Sequence, residues 1–384
     1  MSPIPSVISF LLVGLTITAM LYYLLSLWAA VRFFRQPDGS TNSALQPVTI
    51  MVPLCGADLG AYESYATLCR LDYPDYQIVF GVTDSRDSSL PIINRLIAEF
   101  PGRDIALVVR PDLIGQNLKI SNLHNMLARV KHDLIVIIDS DVRVREDLLR
   151  KIIPMLTEER VGLVTCLYRA LKAPTLPAVV EAIGITSELQ PNVLVARTLE
   201  GMRFALGAVM ATTRRTLNAV GGFPALASYL ADDYILGNLI WKTGYEVRLS
   251  KTVVETTPGH FSFRAMMKHQ IRLARGIRAC RPWSYLGLVV THGTALASLN
   301  TLINQGSWSS LKLLVLAVSI RMATAWQIGV RRLEDRILRR YIWFLPIRDL
   351  LAFATWCSAL LVRRVEWRGK RFRIGKEGKI VRVE

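Results

Sequence analysis

Two aspartates one residue apart, Asp139-Ser140-Asp141, stand directly behind the apolar run Leu134–Ile138. On an extended turn such a pair directs both carboxylates at one divalent ion. Hard cations such as Mg²⁺ or Mn²⁺ accept carboxylate oxygens together with a substrate's phosphates. An ion held in this way neutralises a diphosphate leaving group. In an arbitrary context the triplet is a solvated turn; behind an apolar strand the metal role is favoured, with Asp141 as ligand and Asp139 assisting. Asp84 stands one residue beyond a second run, Gln77–Val82. A third acidic group, Asp232-Asp233, opens an amphipathic stretch to Lys242. Transfer to a hydroxyl needs a carboxylate to take its proton. Asp233 is the candidate and Asp232 its alternate, although both also suit the positive N-terminus of a helix.

Further along, Lys268, Arg272 and Arg275 share one helical face. The planar fork of Arg272 suits a phosphate. Arg275, Arg278 and Arg281 read as an interfacial set for lipid headgroups. His269 is a ligand or acid candidate, against the commoner role of a structural hydrogen-bonder.

These side chains need a scaffold that brings them together. Val48–Val52, Gln77–Val82, Ile105–Val109, Leu134–Ile138 and Val161–Cys166 read as buried strands. Ser88–Phe100, Ser121–Val130 and Glu146–Leu156 read as the helices between them. The alternation predicts an α/β fold with a mixed, mostly parallel sheet covered on both faces. Ligands bind such sheets beyond the carboxyl ends of the strands, which is where Asp84, Asp139 and Asp141 fall.

The 384 residues are 51% hydrophobic and only 20% charged, too apolar for a wholly soluble enzyme, and carry a net charge of +17. Nucleic-acid binding would interleave those cations with aromatics in the globular part. Here the Arg clusters 331–340 and 363–373 flank apolar runs, so the excess belongs to a bilayer and no nucleic-acid partner is expected. Val7 to Val31 is long enough to span a membrane, and Arg32 and Arg35 place its far end in the cytoplasm. The order read from the sequence is an N-terminal transmembrane helix (1–35), a linker (36–47) and a catalytic domain (48–260). A basic interfacial helix (261–282), C-terminal membrane helices (283–362) and a basic cytoplasmic tail (363–384) complete it. Trp283–Ile303, Leu311–Val330 and Tyr341–Val362 are the candidate C-terminal segments. If all three spanned, the basic tail would lie outside, so one is re-entrant or interfacial. Tyr341–Val362 is the weakest, since Pro346, Arg348 and Asp349 fall within it and need protein or a polar cavity to face. The scattered cysteines form no metal-binding or redox pattern.

The ordered motifs Pro53-Leu54-Cys55-Gly56, Leu71-Asp72-Tyr73-Pro74-Asp75-Tyr76, Val82-Thr83-Asp84, Asn117 to Leu123, Ile138 to Val144 and Ala231-Asp232-Asp233-Tyr234 resemble ceramide glucosyltransferase and its bacterial relatives. The resemblance runs from about Leu12 to Val381 and is nearest to the hopanoid-biosynthesis-associated branch. It implies a GT-A fold, a UDP-sugar donor, Mg²⁺ or Mn²⁺, a membrane-lipid acceptor and a bacterial inner-membrane location. It further implies that Asp84 contacts the base or ribose, that Lys119 and Asn122 lie near the donor, and that Asp139 and Asp141 serve metal and diphosphate. Asp233 would be the base of an inverting, single-displacement transfer. His269 and Arg272 match the family's closing motif, which places His269 with the nucleotide-sugar-binding residues and Arg272 with the catalytic ones. Leu273 departs from the tryptophan expected there. Pro346-Ile347-Arg348-Asp349 and Trp367-Arg368-Gly369 resemble the closing stretches. The rival readings are a processive polysaccharide synthase and a silent lipid-binding scaffold.

Overall fold

Short runs rich in Val and Ile, bounded by polar turns, cannot bury a helical stripe but fill a sheet interior. The computed structural model, which describes residues 3–37, 45–259, 262–361, 364–367, 370–375 and 378–382, forms strands from those runs. They are β1 (Val48–Pro53), β2 (Tyr76–Val82), β3 (Asp104–Val109), β4 (Leu134–Ile138), β5 (Val142–Arg143), β6 (Val161–Ala170), β7 (Val209–Thr213) and β8 (Glu246–Thr256). They form one sheet in the order β3-β2-β1-β4-β7-β6-β8-β5. The half from β3 to β4 is parallel; β7 runs antiparallel to both β4 and β6, while β6 and β8 are parallel. The expected strands all form. The run Val161–Cys166 continues past a bulge to Ala170, and β7 and β8 were not read from the sequence.

The helices are α1 (Pro3–Arg35), α2 (Ala61–Cys69), α3 (Leu90–Glu99), α4 (Leu118–Met126), α5 (Leu148–Ile152), α6 (Leu176–Gly184), α7 (Gln190–Glu200), α8 (Arg214–Ala219) and α9 (Asp232–Lys242). After β8 follow α10 (Phe263–Cys280), α11 (Pro282–Gly287), α12 (Gly293–Ile303), α13 (Trp308–Ala325), α14 (Arg336–Tyr341) and α15 (Leu345–Leu361). One sheet face packs on α2, α3 and α5; the other packs on α4, α9 and the inner end of α1, where Ala29, Ala30 and Phe33 join Met51, Val79 and Ile135 in one core. The linker expected over 36–47 lies outside the described residues at 38–44.

Among the described residues three helices are long and apolar enough to cross a membrane: α1, α13 with its continuation to Val330, and the α14–α15 unit. The pair Pro282–Thr291 and Gly293–Ile303 also passes but is bent by 63°. Contacts decide which of these cross. Asn304, beyond α12, donates to Ser9 near the outer end of α1, and Tyr23 further along α1 bonds Thr291 and Gly293. The bent pair therefore runs beside α1, from Tyr23 toward Ser9. α13 returns: Leu333 and Glu334 beyond it accept hydrogen bonds from Arg169 at the end of β6. α15 has both ends on the catalytic side, Arg348 paired with Glu188 and the Ala359 carbonyl accepting from Arg278 of α10. Despite its length, α15 lies packed along α10 with both ends toward the catalytic domain.

Asp349 on α15 is buried against Arg321 of α13, bidentate at 2.9 and 3.0 Å, with Thr294 as a further donor. Loss of one partner of such a pair costs about 3–5 kcal/mol. Two arginines expected at lipid headgroups instead face protein: Arg281 grips Glu200 at 2.6 and 2.8 Å, and Arg278 bonds Ala359. Both sit where helix ends leave carbonyls or carboxylates that only a cation satisfies.

Beyond α15, β9 (Arg364–Trp367), β10 (Lys370–Ile374) and β11 (Ile380–Arg382) make an antiparallel sheet. Arg368 and Gly369 of the closing motif lie outside the described residues. The basic tail is thus no open tether. Ile380 N–H donates to the Ser228 carbonyl at 2.8 Å, Leu230 N–H to that of Gly378 at 3.3 Å, and Lys379 lies over the Tyr229 ring.

This path is testable in cells after replacement of the native cysteines. A cysteine at Gln305 should react with an impermeant maleimide added outside, and one at Glu334 only after permeabilisation. Outside labelling at both positions would overturn the path.

Candidate active site

The carboxyl ends of β1, β2 and β4 open on one edge, and the turn after β4 projects the Asp139-Ser140-Asp141 triplet there. Backbone bonds fix that turn: Asp139 N–H donates to Ala208 O at 3.2 Å, and Thr257 N–H to Asp141 O at 3.2 Å. Ser140 Oγ donates to Asp58 at 2.5 Å, adding a carboxylate that the sequence did not single out.

Lys119 points into this edge from the first turn of α4. Its Nζ lies 2.6 Å from Asp139 and 3.5 Å from Asp232. Burial opposes its charge, but Asp139, Asp232 and Asp233 outweigh that and raise its pKa. Asn117 caps the same helix by accepting from Ile120 N–H, while its Nδ2 donates to Tyr229 O at 2.9 Å and Asp232 Oδ1 at 3.2 Å. One fully buried side chain thereby locks α4 to the loop that carries the acidic pair, the same loop that β11 holds from outside. In the sequence Asn117 is only the first residue of the family-like stretch Asn117 to Leu123, with no role of its own; its cap chemistry becomes visible in the fold.

These contacts distinguish Asp233, the candidate, from its alternate Asp232. Asp232 is occupied by Asn117 and Lys119. Asp233 faces a cavity of about 410 Å³ together with Asp139 and Asp141, and its Oδ1 accepts only its helix's own Tyr234 N–H at 2.7 Å. Burial first, and then Asp232, push Asp233 up to about 6 against the pull of Lys119. A carboxyl in that range both holds and releases a proton near neutrality. Asp139 is raised chiefly by burial against the pull of Lys119, and Asp141 is pushed up to about 7 by burial, Asp139 and Asp58.

That unrelieved repulsion is the test for a metal. Among the described residues no three His, Cys, Asp or Glu side chains are grouped to hold an ion alone. Asp139 and Asp141 fit a hard cation that completes its shell with phosphate oxygens and water, the Mg²⁺-type arrangement.

The other expected residues are placed as follows. Asp84 caps its own turn, accepting from Arg86 N–H at 2.9 Å, and is 58% exposed at the mouth of β2. Asn122 is buried, and its amide donates to Leu54 O and Gly81 O at the ends of β1 and β2, so it shapes the edge from behind. His269 lines the cavity. Arg272 lies one turn on, with Nη2 3.4 Å from His269 Nδ1. Burial and then Arg272 push His269 down to about 4. Leu273 also lines the cavity, so the missing tryptophan leaves space on that wall. The upper walls are apolar side chains of α10, α11 and α15, among them Ile277, Leu288, Leu351 and Trp356.

Residues 11–380 match the family model for glycosyl transferase family 21. Ceramide glucosyltransferase 3 of Caenorhabditis elegans is 24% identical over 358 residues, covering 88% of this chain and 75% of the relative. Ceramide glucosyltransferase of Komagataella phaffii is 19% identical over 458 residues, covering 94% and 90%. Among solved structures, the mannosyltransferase PcManGT from Pyrobaculum calidifontis, in complex with GDP-Man and Mn²⁺, superposes with a TM-score of 0.57 at 19% identity, covering 92% of this chain and 98% of that one. That likeness shows the GT-A fold.

Gly207 gives a local test. A Cβ there would lie 3.0 Å from Asp233 Oδ2 and 3.4 Å from Asp139 Oδ2. Gly207→Ala should leave the melting temperature nearly unchanged yet lower turnover about 3–10-fold, since the shift required is a fraction of the 1 Å misplacement that costs about 10²-fold. Unchanged turnover would separate these two carboxylates from the chemistry.

Proposed function

The chain belongs to glycosyl transferase family 21 and is a glycosyltransferase, and from that premise we propose that it moves one sugar from a UDP-sugar to the hydroxyl of a membrane lipid with inversion. N-acetylglucosamine and glucose are the sugars considered. A hopanoid polyol is the favoured acceptor and ceramide the second. The setting is a bacterial inner membrane with the catalytic sheet on the cytoplasmic side. The observation that carries this reading is a single cavity with an acidic floor and a lipid-like upper wall, built from Asp139, Asp141 and Asp233 below and α10, α11 and α15 above.

The donor docks at the edge formed by β1, β2 and β4, with Asp84 toward the nucleoside and Lys119 and Arg272 assigned to the diphosphate's charge. Asp141, with Asp139, would hold Mg²⁺ or Mn²⁺, whose charge would supply Lewis-acid neutralisation of the leaving diphosphate. The lipid enters between α10 and α15, where apolar walls shield it and exclude water from the donor. Asp233 accepts the hydroxyl proton as the hydroxyl oxygen bonds to the anomeric carbon. The bond from that carbon to the diphosphate oxygen breaks, and UDP departs with its electron pair. Asp232 stays fixed between Asn117 and Lys119, holding the helix that aims Asp233. Leu273 in place of a bulkier ring leaves room for a wide acceptor.

Asp233→Asn should keep UDP-sugar binding by calorimetry but lower transfer about 10²–10⁴-fold, the usual contribution of a general base; near wild-type turnover would sink the assignment. Stripping divalent ions should stop transfer, and Mn²⁺ or Mg²⁺ should restore it. Transfer that survives chelation would remove the ligand role from Asp139 and Asp141. Lipid mass spectrometry of a host and its deletion strain then identifies the acceptor by the glycolipid that disappears.

A further inference from the structure

Halfway up the cavity wall, Glu181 of α6 presents a polar demand that the protein does not meet. Its Oε1 lies 3.6 Å from His269 Nε2, while Oε2 is buried with no hydrogen-bond partner. A carboxylate with a structural role in so enclosed a place has both oxygens engaged, because an unmet one retains its desolvation penalty. Its neighbours do not satisfy it. The depressed basicity of His269 makes that contact one with a neutral ring, and Arg348, also on the cavity wall, is taken by Glu188. Burial pushes Glu181 up to about 7, with Arg272 working in the opposite sense.

The position is as informative as the deficit. Tyr168 shares the cavity with Glu181 and the three aspartates: burial and then the fields of Asp233, Asp141, Asp139 and Glu181 raise its phenol pKa. Glu181 thus lines the same cavity as Asp233 and the apolar Leu351 and Trp356. The terminal torsion of a glutamate is broad, so a small rotation brings Oε2 to a group standing in the cavity.

We propose that Glu181 is an acceptor-recognition residue, taking a hydrogen bond from a second donor on the lipid head while the reacting hydroxyl meets Asp233. The inference rests on the lipid-acceptor reading of the cavity. A hydrogen bond donated to Oε2 favours the ionised form, which only accepts, so the feature recognised is an O–H or N–H close to the reacting hydroxyl: a neighbouring hydroxyl of a polyol, or the amide N–H of a ceramide. A lipid with a lone alcohol would leave Oε2 buried and unmatched. Sites of this construction discriminate strongly against analogues lacking the donor.

The test compares matched acceptors presented in detergent micelles to the full-length protein. One pair is a hopanoid polyol and its analogue without the hydroxyl adjacent to the reacting one; the other is ceramide and N-methylceramide. Wild-type kcat/KM should favour the donor-bearing member of the productive pair about 10–100-fold, the range for a hydrogen bond to a charged group. In Glu181→Gln that ratio should fall to within about threefold, through loss on the donor-bearing lipid alone. Retained UDP binding in the variant reports an intact fold. The pair that shows discrimination tells hydroxyl from amide. Undiminished discrimination in Glu181→Gln, or equal wild-type rates on both members of each pair, would overturn the proposal while transfer itself persists. Absence of wild-type transfer to any of these lipids, with UDP-sugar still hydrolysed, would instead overturn the acceptor reading beneath it.

Discussion

Five carboxylates, those of Asp58, Asp139, Asp141, Asp232 and Asp233, converge on a partly desolvated edge that holds one ammonium, that of Lys119. Like charges at such range raise one another's pKa, and burial adds to the effect. The fold must hold them there against that repulsion, and much of its detail is the means. β4 delivers Asp139 and Asp141 rigidly, α4 brings Lys119 between Asp139 and Asp232, and Asn117 ties the loop of Asp232 to the start of α4. The raised values at Asp141 and Asp233 come first from burial and then from that repulsion, and a cation with a diphosphate is the natural counterweight.

A second constraint is the bilayer. A crevice that receives a lipid needs one wall that lipid tails can share. α15 supplies it by lying along α10, and its charged residues meet protein: Asp349 at Arg321, Arg348 at Glu188. Glu188 lies in the π-helical turn Ile185–Leu189 between α6 and α7, and Ser187 in the same turn accepts from Arg321. The membrane helices and the helices that line the cavity thus share one polar network, buried from water and lipid alike.

The parallel half of the sheet was legible because its strands are buried on both faces and read as unbroken apolar runs. β7 and β8 were not: Val209–Thr213 is short and ends in threonines, and Glu246–Thr256 alternates polar and apolar side chains across a half-buried surface. The sequence placed Asp84, Asp139 and Asp141 behind strands, and the fold sets them at strand mouths. It favoured Asp233 over Asp232 without a physical ground, because what occupies Asp232 is Asn117, over a hundred residues earlier in the chain. Asn122 carries a motif signal for the donor region, yet its amide is engaged by strand-end carbonyls. Arg278 and Arg281 look like headgroup ligands because periodicity shows a face but not what is packed on it. Glu181 lies in an apolar helix with nothing in its spacing to mark it.

The inner end of α1 has a role beyond anchorage. Phe33, Ala29 and Ala30 belong to the same core as the sheet, Tyr22 bonds Asn192 of α7, and Arg197 of α7 stacks on Phe33. No seam separates an anchor from an enzyme. A truncated form begun after α1 for solubility would leave a greasy furrow on the sheet and invite aggregation, so purification of a well-behaved catalyst calls for micelles or nanodiscs that retain the first helix.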